Sequence, residues 1–294
     1  VLQRLFTVLG AVNLLWLVVA LLTSPQRRTS LAAMMRAAST PAALVSAGAM
    51  CLGPSAQALS DWRTPWAKWV WWVGFVSHSL LQLSFSFFNA TKLSRRELNW
   101  SDISPAWFVV YIGTGVFGVS GTALGVVRTA VRCTAYVAAL HLVWTAPAVC
   151  FALWRTGLAP GTPLGIVVAP CGLVLAAWLG AGSLGLDPPL PTLLYALSFV
   201  PWLAVLPRSA ALLLREPSAP ALASHTFPNL ILSTSHLLFL RRTRAEAGPE
   251  AVSAAEAVAW TTLAWAVLVT AVANATRAKA NVQTLLMQLG GDSR

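Results

Sequence analysis

Long runs of apolar residues, separated by short charged connections, constrain this chain more than any other feature of its sequence. A helix needs roughly 20 apolar residues to cross a hydrocarbon core of about 30 Å. Runs of that length favour helices over the ~10-residue alternating strands of a membrane barrel. We therefore predict an all-α integral membrane protein in which residues 1–294 form a single transmembrane domain. The nine predicted helices are 3–23, 41–60, 65–88, 105–125, 129–154, 163–184, 191–213, 220–240 and 255–276.

The charge content excludes an ordinary water-facing surface. Only 10% of the residues are charged and 57% are hydrophobic, whereas soluble domains carry about 25% charged residues. The net charge of +11 comes from Lys and Arg that lie between the apolar runs, where anionic lipid and membrane topology favour them. The basic balance thus indicates a lipid bilayer as partner and no nucleic acid.

Alternate predicted helices begin with a proline. Pro is suited to the first helical position, because its missing N–H has no intrahelical partner there, and Ser or Thr caps the helix before it in three of the four cases. The regular spacing predicts a stack of helical hairpins, with every proline-started helix entering from the same side. These prolines are Pro41, Pro105, Pro163 and Pro220, with spacings of 64, 58 and 57 residues.

The same spacing places one further proline-started helix before residue 1. We therefore expect the helix at 3–23 to be the second half of an incomplete hairpin, the alternative being a natural nine-helix chain. Lys and Arg are moderately more frequent at the ends from which the proline-started helices enter, which favours those ends being cytoplasmic. We expect a multi-pass protein of the plasma (inner) membrane, with 277–294 as a cytoplasmic tail that forms a short surface helix and frays at its end.

The predicted helices hold no Asp or Glu in their middle parts. Coupled carriers often use such a carboxylate, so its absence favours passive conduction. Parallel helices that present their N-terminal ends to one mouth favour anions there. Prolines within the proline-started helices loosen the backbone, although a simple packing kink explains them equally well. These are Pro54, Pro170 and Pro228.

Catalytic and metal-binding patterns are absent from the sequence. The four histidines share no metal-ligand spacing, and neither GxSxG nor HExxH occurs. We predict no enzymatic activity, no metal site and no cofactor. His225 is singled out among the histidines because it stands two residues before Phe227 on a proline-started helix.

Several stretches resemble the tellurite-resistance/dicarboxylate transporter (TDT) family. This family includes bacterial TehA, the plant guard-cell slow anion channel, a yeast malate permease and fungal sulfite exporters. In order and spacing the matching stretches cover nearly the whole chain. They are Ser-Pro-Ala-Trp-Phe at 104–108, Gly-Ile-Val-Val-Ala-Pro at 165–170, the run 194–202 from Leu-Tyr to Trp, Ala-Ser-His-Thr-Phe-Pro at 223–228 and, more weakly, 35–41.

The resemblance implies a fold of ten helices in five hairpins around a quasi-fivefold central pore, assembled as a homotrimer. The nine helices predicted here would be the second to the tenth, with the odd-numbered ones lining the pore. The family motif places a pore gate at Phe227. One departure is Val110, at a position where family members often carry a second proline.

Our first functional hypothesis is a membrane anion channel or transporter that passes small inorganic or organic anions through a pore gated by Phe227. Two alternatives remain open, a proton-coupled C4-dicarboxylate or sulfite carrier and a non-transporting membrane scaffold subunit. For each glycine among the pore candidates, plain helix packing is an equally good explanation. The pore-lining and kink candidates are Gly48, Gly53, Pro54, Phe108, Gly113, Gly118, Gly165, Pro170, His225, Pro228 and Ser233.

Overall fold

The computed structural model describes residues 65–157, 164–182, 189–215 and 219–291, and the regular elements over these ranges are all helical. The predicted helices at 3–23 and 41–60, with Gly48, Gly53 and Pro54, lie outside the described residues. Short 3₁₀ helices occupy Trp100–Asp102 and Leu164–Val168. The α-helices are α1 Pro65–Ser94, α2 Ala106–Tyr111, α3 Gly115–Ala123, α4 Arg128–Thr156, α5 Ala169–Gly180, α6 Leu190–Arg215, α7 Ala219–Glu246 and α8 Pro249–Gly291.

Three of the described helices are long and apolar enough to cross a membrane. They cover Arg128–Thr156, Leu190–Leu214 and Pro249–Thr276, and Leu164–Gly180 forms a shorter apolar helix. The helical class of the chain is thereby confirmed over the described ranges. The bounds of α4 and α6 agree with the predicted 129–154 and 191–213 to within about two residues, the usual uncertainty of a helix end.

Two helices that the apolar runs predict as continuous are interrupted. The predicted helix 105–125 breaks at 112–114, where tighter i→i+3 hydrogen bonds replace the α-helical ones, such as Gly115 N–H to Ile112 O at 2.8 Å. The predicted helix 163–184 begins as the 3₁₀ turn and becomes α-helical only at Ala169. Pro170 therefore lies where the 3₁₀ turn passes into α5, in the first turn of the α-helix, and its role as a pore or kink residue stays a prediction.

The helix predicted for the C-terminal tail is continuous with the helix before it. Helix α8 runs unbroken for 43 residues to Gly291. At 1.5 Å per residue its length is about 64 Å, roughly twice the thickness of a hydrocarbon core. The reason is local, because the sequence holds neither Gly nor Pro between 277 and 289 to end the helix.

The described residues divide into two compact units. The first contains 65–157 and 177–182. In it, Trp71 packs against Phe117 and Phe85 packs against Trp107. The residue numbers run in opposite directions, so α1 is antiparallel to α2 and α3.

The end of α5 runs beside α3 in the same unit. A Cβ added at Gly118 would lie 2.7 Å from Ala177 Cβ, and Thr122 Oγ1 donates to Gly180 O at 2.9 Å. Here the residue numbers rise together, so the two segments are parallel. This agrees with the parallel course that the proline spacing predicts for the helices following Pro105 and Pro163.

The second unit contains 164–176 and 189–291. Its α6, α7 and α8 form consecutive antiparallel pairs, joined by contacts such as Ser198 with His236 and His236 with Thr262. The segment 164–176 runs parallel to α7, because Gly165 meets His225 and Gly172 meets Leu232. The second unit contains a hydrophobic core cluster of Leu164, Val168, Trp202, Val205 and Leu232.

Helices α1, α4 and α6 each present a stripe of exposed apolar side chains. On α1 the stripe recurs every three or four residues, which puts its members on one face, and its side chains are 50% to 77% exposed. A continuous face of this kind requires an apolar surrounding. The stripe on α1 consists of Trp69, Val73, Val76, Leu80, Leu83 and Phe87.

Candidate functional site

Phe227 lies on α7 beside the in-helix proline Pro228. Its side chain is half-buried, whereas Pro228 is buried. Two residues before it, His225 points toward α6 and contacts Ser209. Because an α-helix turns about 100° per residue, Phe227 lies about 200° around α7 from His225. Phe227 therefore occupies the face of α7 that points away from α6.

His225 is buried, with 2% of its surface exposed, and is held by a serine of α6. The Ser209 hydroxyl donates to Val205 O at 3.1 Å, so His225 Nδ1–H is the donor to Ser209 Oγ at 2.9 Å. Gly165 packs against the His225 ring, since a Cβ added at Gly165 would lie 2.7 Å from His225 Cγ. His225 and Gly165 are thus brought together as a packed pair of the segment 164–176 and α7.

A second serine–histidine pair lies three turns further along the same two helices. His236 is fully buried, and its Nε2 lies 2.9 Å from Ser198 Oγ, while its Nδ1 lies 3.2 Å from Thr262 Oγ1. Ser198 donates its own hydroxyl to Tyr195 O at 2.6 Å, so Nε2 donates to Ser198, while the Thr262 hydroxyl donates to Val258 O at 3.0 Å. Both ring nitrogens of His236 thus contact hydroxyl groups, and the residue joins α6, α7 and α8.

Asn229 lies between the two histidines on the same face of α7. It is 2% exposed, and its Nδ2 donates to His225 O at 2.6 Å. We call His225, Asn229 and His236 the α7 polar seam. The seam spans eleven residues, or about 16 Å, which is about half of a hydrocarbon core.

Ser233 is buried next to this seam but makes a local contact. Its Oγ donates to Leu230 O on its own helix at 2.9 Å. This kind of back-bonding satisfies a hydroxyl inside an apolar bundle and often bends the helix slightly. The hydroxyl of Ser233 therefore donates its hydrogen bond to the backbone of its own helix.

In the first unit, polar side chains of α1 cover the break between α2 and α3. His78 Nε2–H donates to Val110 O at 3.0 Å, and Gln82 Nε2 donates to Tyr111 O at 3.3 Å and to His141 Nδ1 at 3.0 Å. The break leaves the last carbonyls of α2 without helical partners. The side chains of His78 and Gln82 donate hydrogen bonds to these carbonyls. A helix interrupted inside an apolar bundle is thereby kept free of unpaired carbonyls.

Gly113 and Phe108 are both buried near this break. A Cβ added at Gly113 would lie 2.6 Å from His78 Cε1, so Gly113 is required for the close approach of His78. Phe108 is 5% exposed, and its carbonyl accepts the Ile112 N–H at 2.9 Å at the end of α2. Gly118, further along on α3, packs directly against Ala177.

We expect the variant Gln82→Leu to lose about 1–3 kcal/mol of unfolding free energy. The substitution keeps the size of the side chain but removes the amide that donates to His141 Nδ1 and to Tyr111 O. Tyr111 O still accepts from the Thr114 hydroxyl at 3.3 Å, so the loss falls mainly on His141 Nδ1, and an acceptor left without its donor carries a penalty of that size. Denaturant unfolding of the detergent-solubilised protein, followed by circular dichroism, measures the change. The variant Leu83→Gln, at the neighbouring exposed position, is the control for detergent effects. Equal stability of Gln82→Leu and the parent would contradict this role for Gln82.

The sequence singled out His225 but missed the polar side chains that complete the contacts described above. Ser198, Ser209, Gln82 and Asn229 each complete one of these contacts. One usable signal existed, because Ser198 and Ser209 are eleven residues apart, as are His225 and His236. Two antiparallel helices with equal spacings bring both pairs into register. No family model matches this chain, and no curated protein matches it either.

Proposed function

We propose that this chain is an integral membrane protein that passes small anions through a central pore gated by Phe227. The observation that carries the proposal is the position of Phe227 on α7. Its side chain is half-buried and points away from the seam that binds α7 to α6. A bulky ring on that face, next to the buried Pro228, is suited to closing a pathway that runs along α7.

The membrane part of the proposal rests on helix length and on the apolar stripes. Three described helices are long and apolar enough to span a bilayer. Their outward side chains, such as Leu140, Trp154 and Val200, are 65% to 74% exposed. Lipid tails provide the apolar surrounding that such faces need, and the helices satisfy their own backbone groups there.

The preference for anions rests on helix direction. In each unit a pair of proline-started segments runs parallel, so both N-terminal ends of a pair lie at the same side. Helix N-termini carry partial positive charge and unpaired N–H groups. We propose that further proline-started helices repeat this arrangement, as in the TDT family, in a ten-helix, five-hairpin protomer of a plasma-membrane homotrimer with a cytoplasmic C-terminus.

The α7 polar seam favours a second candidate function, a proton-coupled C4-dicarboxylate or sulfite carrier. His225 and His236 are 2% and 0% exposed, and ionisable residues buried within a membrane often mark proton relays. In the channel these histidines only fix helix contacts, whereas in the carrier they would exchange protons with the transported anion. The two candidates therefore differ in how flux depends on a proton gradient.

Uptake of labelled anions into liposomes containing the full chain distinguishes the candidates. We expect uptake of chloride and nitrate to rise linearly with concentration and to be unaffected by an inward proton gradient. Saturable uptake of malate or sulfite that requires the gradient would establish the carrier instead. If neither the parent nor Phe227→Ala shows more flux than protein-free liposomes, the result would favour the non-transporting scaffold.

A further inference from the structure

Three aromatic rings and one arginine form an exposed cluster where α4 ends. Trp100, in the connection between α1 and α2, lies 4.6 Å from Phe151 of α4, measured between ring centroids, and Phe151 lies 5.4 Å from Trp154. The Arg155 guanidinium lies 5.4 Å from the centroid of the Phe151 ring and 5.7 Å from that of Trp154. We call these four residues the α4 end cluster.

The rings of the cluster are open to their surroundings. Trp154 is 74% exposed, Trp100 46% and Phe151 37%. Trp154 follows the exposed Val143 of α4 by eleven residues, so the two side chains lie within about 20° of each other around the helix. The Trp154 ring therefore continues the outward apolar face of α4, the face that lipid covers in the proposed membrane protein.

The length of α4 puts the cluster at the level of the lipid headgroups. The helix has 29 residues, about 43 Å at 1.5 Å per residue, and a bilayer with its headgroup regions is about 40–45 Å thick. Arg155 is the last residue but one of α4. When α4 spans a bilayer, the Arg155 guanidinium lies among the phosphates of one surface. The rings beside it then lie in the interfacial layer where tryptophan is enriched.

Arg155 forms no ion pair with any carboxylate of the described residues. Asp102, in the same 3₁₀ turn as Trp100, pairs with Lys92 at 2.7 Å. The connection that follows α4, at 158–163, contains neither Asp nor Glu in its sequence. Contact with two rings limits the orientations of the Arg155 side chain, while its N–H donors keep the fork geometry that matches a phosphate. The cluster therefore presents a positioned cation beside an exposed apolar surface.

We propose that the α4 end cluster binds the headgroup of an anionic phospholipid. The Arg155 guanidinium donates a bidentate pair of hydrogen bonds to the lipid phosphate, and the exposed Trp154 ring packs against the glycerol and the first part of an acyl chain. Phosphatidylcholine carries its own cation beside the phosphate, so phosphatidylglycerol is the better match for a single guanidinium. The inference rests on the membrane part of the proposed function and is independent of anion conduction.

Native mass spectrometry of the detergent-solubilised full chain with added dioleoylphosphatidylglycerol tests the proposal. We expect Arg155→Gln to raise the apparent dissociation constant of the first bound lipid by roughly tenfold, the effect typical of losing hydrogen bonds between charged groups. Trp154→Leu keeps an apolar side chain but removes the ring, and it should raise the constant several-fold. Dioleoylphosphatidylcholine should bind the parent more weakly than dioleoylphosphatidylglycerol does. Equal binding of dioleoylphosphatidylglycerol by the parent and Arg155→Gln would overturn the proposal.

Arg95→Gln is the matched control. Arg95 is exposed just beyond the end of α1, and the cation–ring contacts of the described residues involve Lys92 and Arg155 but not Arg95. The control removes the same charge and should leave the dissociation constant within about twofold of the parent, as for an isolated exposed charge. Equal losses for Arg95→Gln and Arg155→Gln would show attraction by overall charge and overturn a defined site.

Two further outcomes identify a different occupant and would also overturn the proposal. Displacement of the lipid by millimolar glycerol 3-phosphate would show that a soluble phosphate is the ligand. A change in oligomeric mass for Arg155→Gln, with unchanged lipid affinity, would make the cluster a contact between copies of the chain. Flotation with liposomes separates this inference from the proposed function, because a parent that fails to insert contradicts the membrane assignment itself.

Discussion

Replacing Phe227 with alanine is expected to increase the anion current of the reconstituted protein by roughly an order of magnitude or more. A pore closed by a single ring is limited by the width and wetting of that constriction. Alanine removes the ring while leaving Pro228 and the α7 polar seam in place, because Phe227 lies on the opposite face of the helix. Planar-bilayer recordings in symmetric chloride measure the effect directly.

A size series and a control variant sharpen this expectation. Phe227→Leu should give a current between those of the parent and the alanine variant, since leucine fills part of the same space. Phe87→Ala is the matched control, because the Phe87 ring is 77% exposed on the outer face of α1. Its current should equal that of the parent. Parent-like currents from both Phe227 variants would exclude a gate at this position.

The variant Gly165→Ala is expected to lose about 2–3 kcal/mol of unfolding free energy. Its new Cβ would lie 2.7 Å from His225 Cγ and 2.8 Å from His225 Cα. A side chain could rotate away, but the second contact is with backbone, so α7 itself must shift. Overpacking of this kind typically costs about 1–3 kcal/mol. Denaturant unfolding in detergent, with the midpoint and slope compared, measures the loss.

Gly248→Ala is the matched control for this prediction. Gly248 lies between α7 and α8, and an added Cβ there meets no atom within 4 Å. The same substitution should therefore leave stability within about 0.5 kcal/mol of the parent. If Gly165→Ala is as stable as Gly248→Ala, the segment 164–176 does not pack on α7 as closely as described.

The helices of this chain could be predicted from sequence because their signal is local. Twenty or so apolar residues between charged connections fix both the existence and the approximate bounds of α4 and α6. The direction of two helix pairs also followed from the sequence, since prolines at a regular spacing mark successive hairpins. Each of these inferences uses only residues within one helix or the spacing of neighbouring ones.

The interruptions and polar contacts could not be predicted in the same way. The break at 112–114 is stable because His78 and Gln82, about 30 residues earlier, bind the freed carbonyls of Val110 and Tyr111. A window of sequence around Gly113 does not contain these donors. The position of Pro170 in a first turn likewise depends on the preceding 3₁₀ segment, which the uniform apolarity of 163–184 conceals.

His225 illustrates the same limit within the candidate site. Its nearness to Phe227 in sequence suggested a role at the pore. The two side chains lie about 200° apart on α7, and His225 pairs with Ser209 of α6. That pairing depends on how two antiparallel helices are registered, which a single helix pattern does not specify. Residues that are close in sequence on a helix, such as His225 and Phe227, can therefore lie on opposite faces of it.

The reversal potential of the Phe227→Ala current tests the central claim most directly. The full chain is placed in a planar bilayer between unequal concentrations of potassium chloride, and the voltage of zero current is measured. An anion pathway along the Phe227 face of α7 predicts a large current that reverses close to the chloride equilibrium potential. A current that reverses close to the potassium equilibrium potential, or no current from this variant, would contradict it.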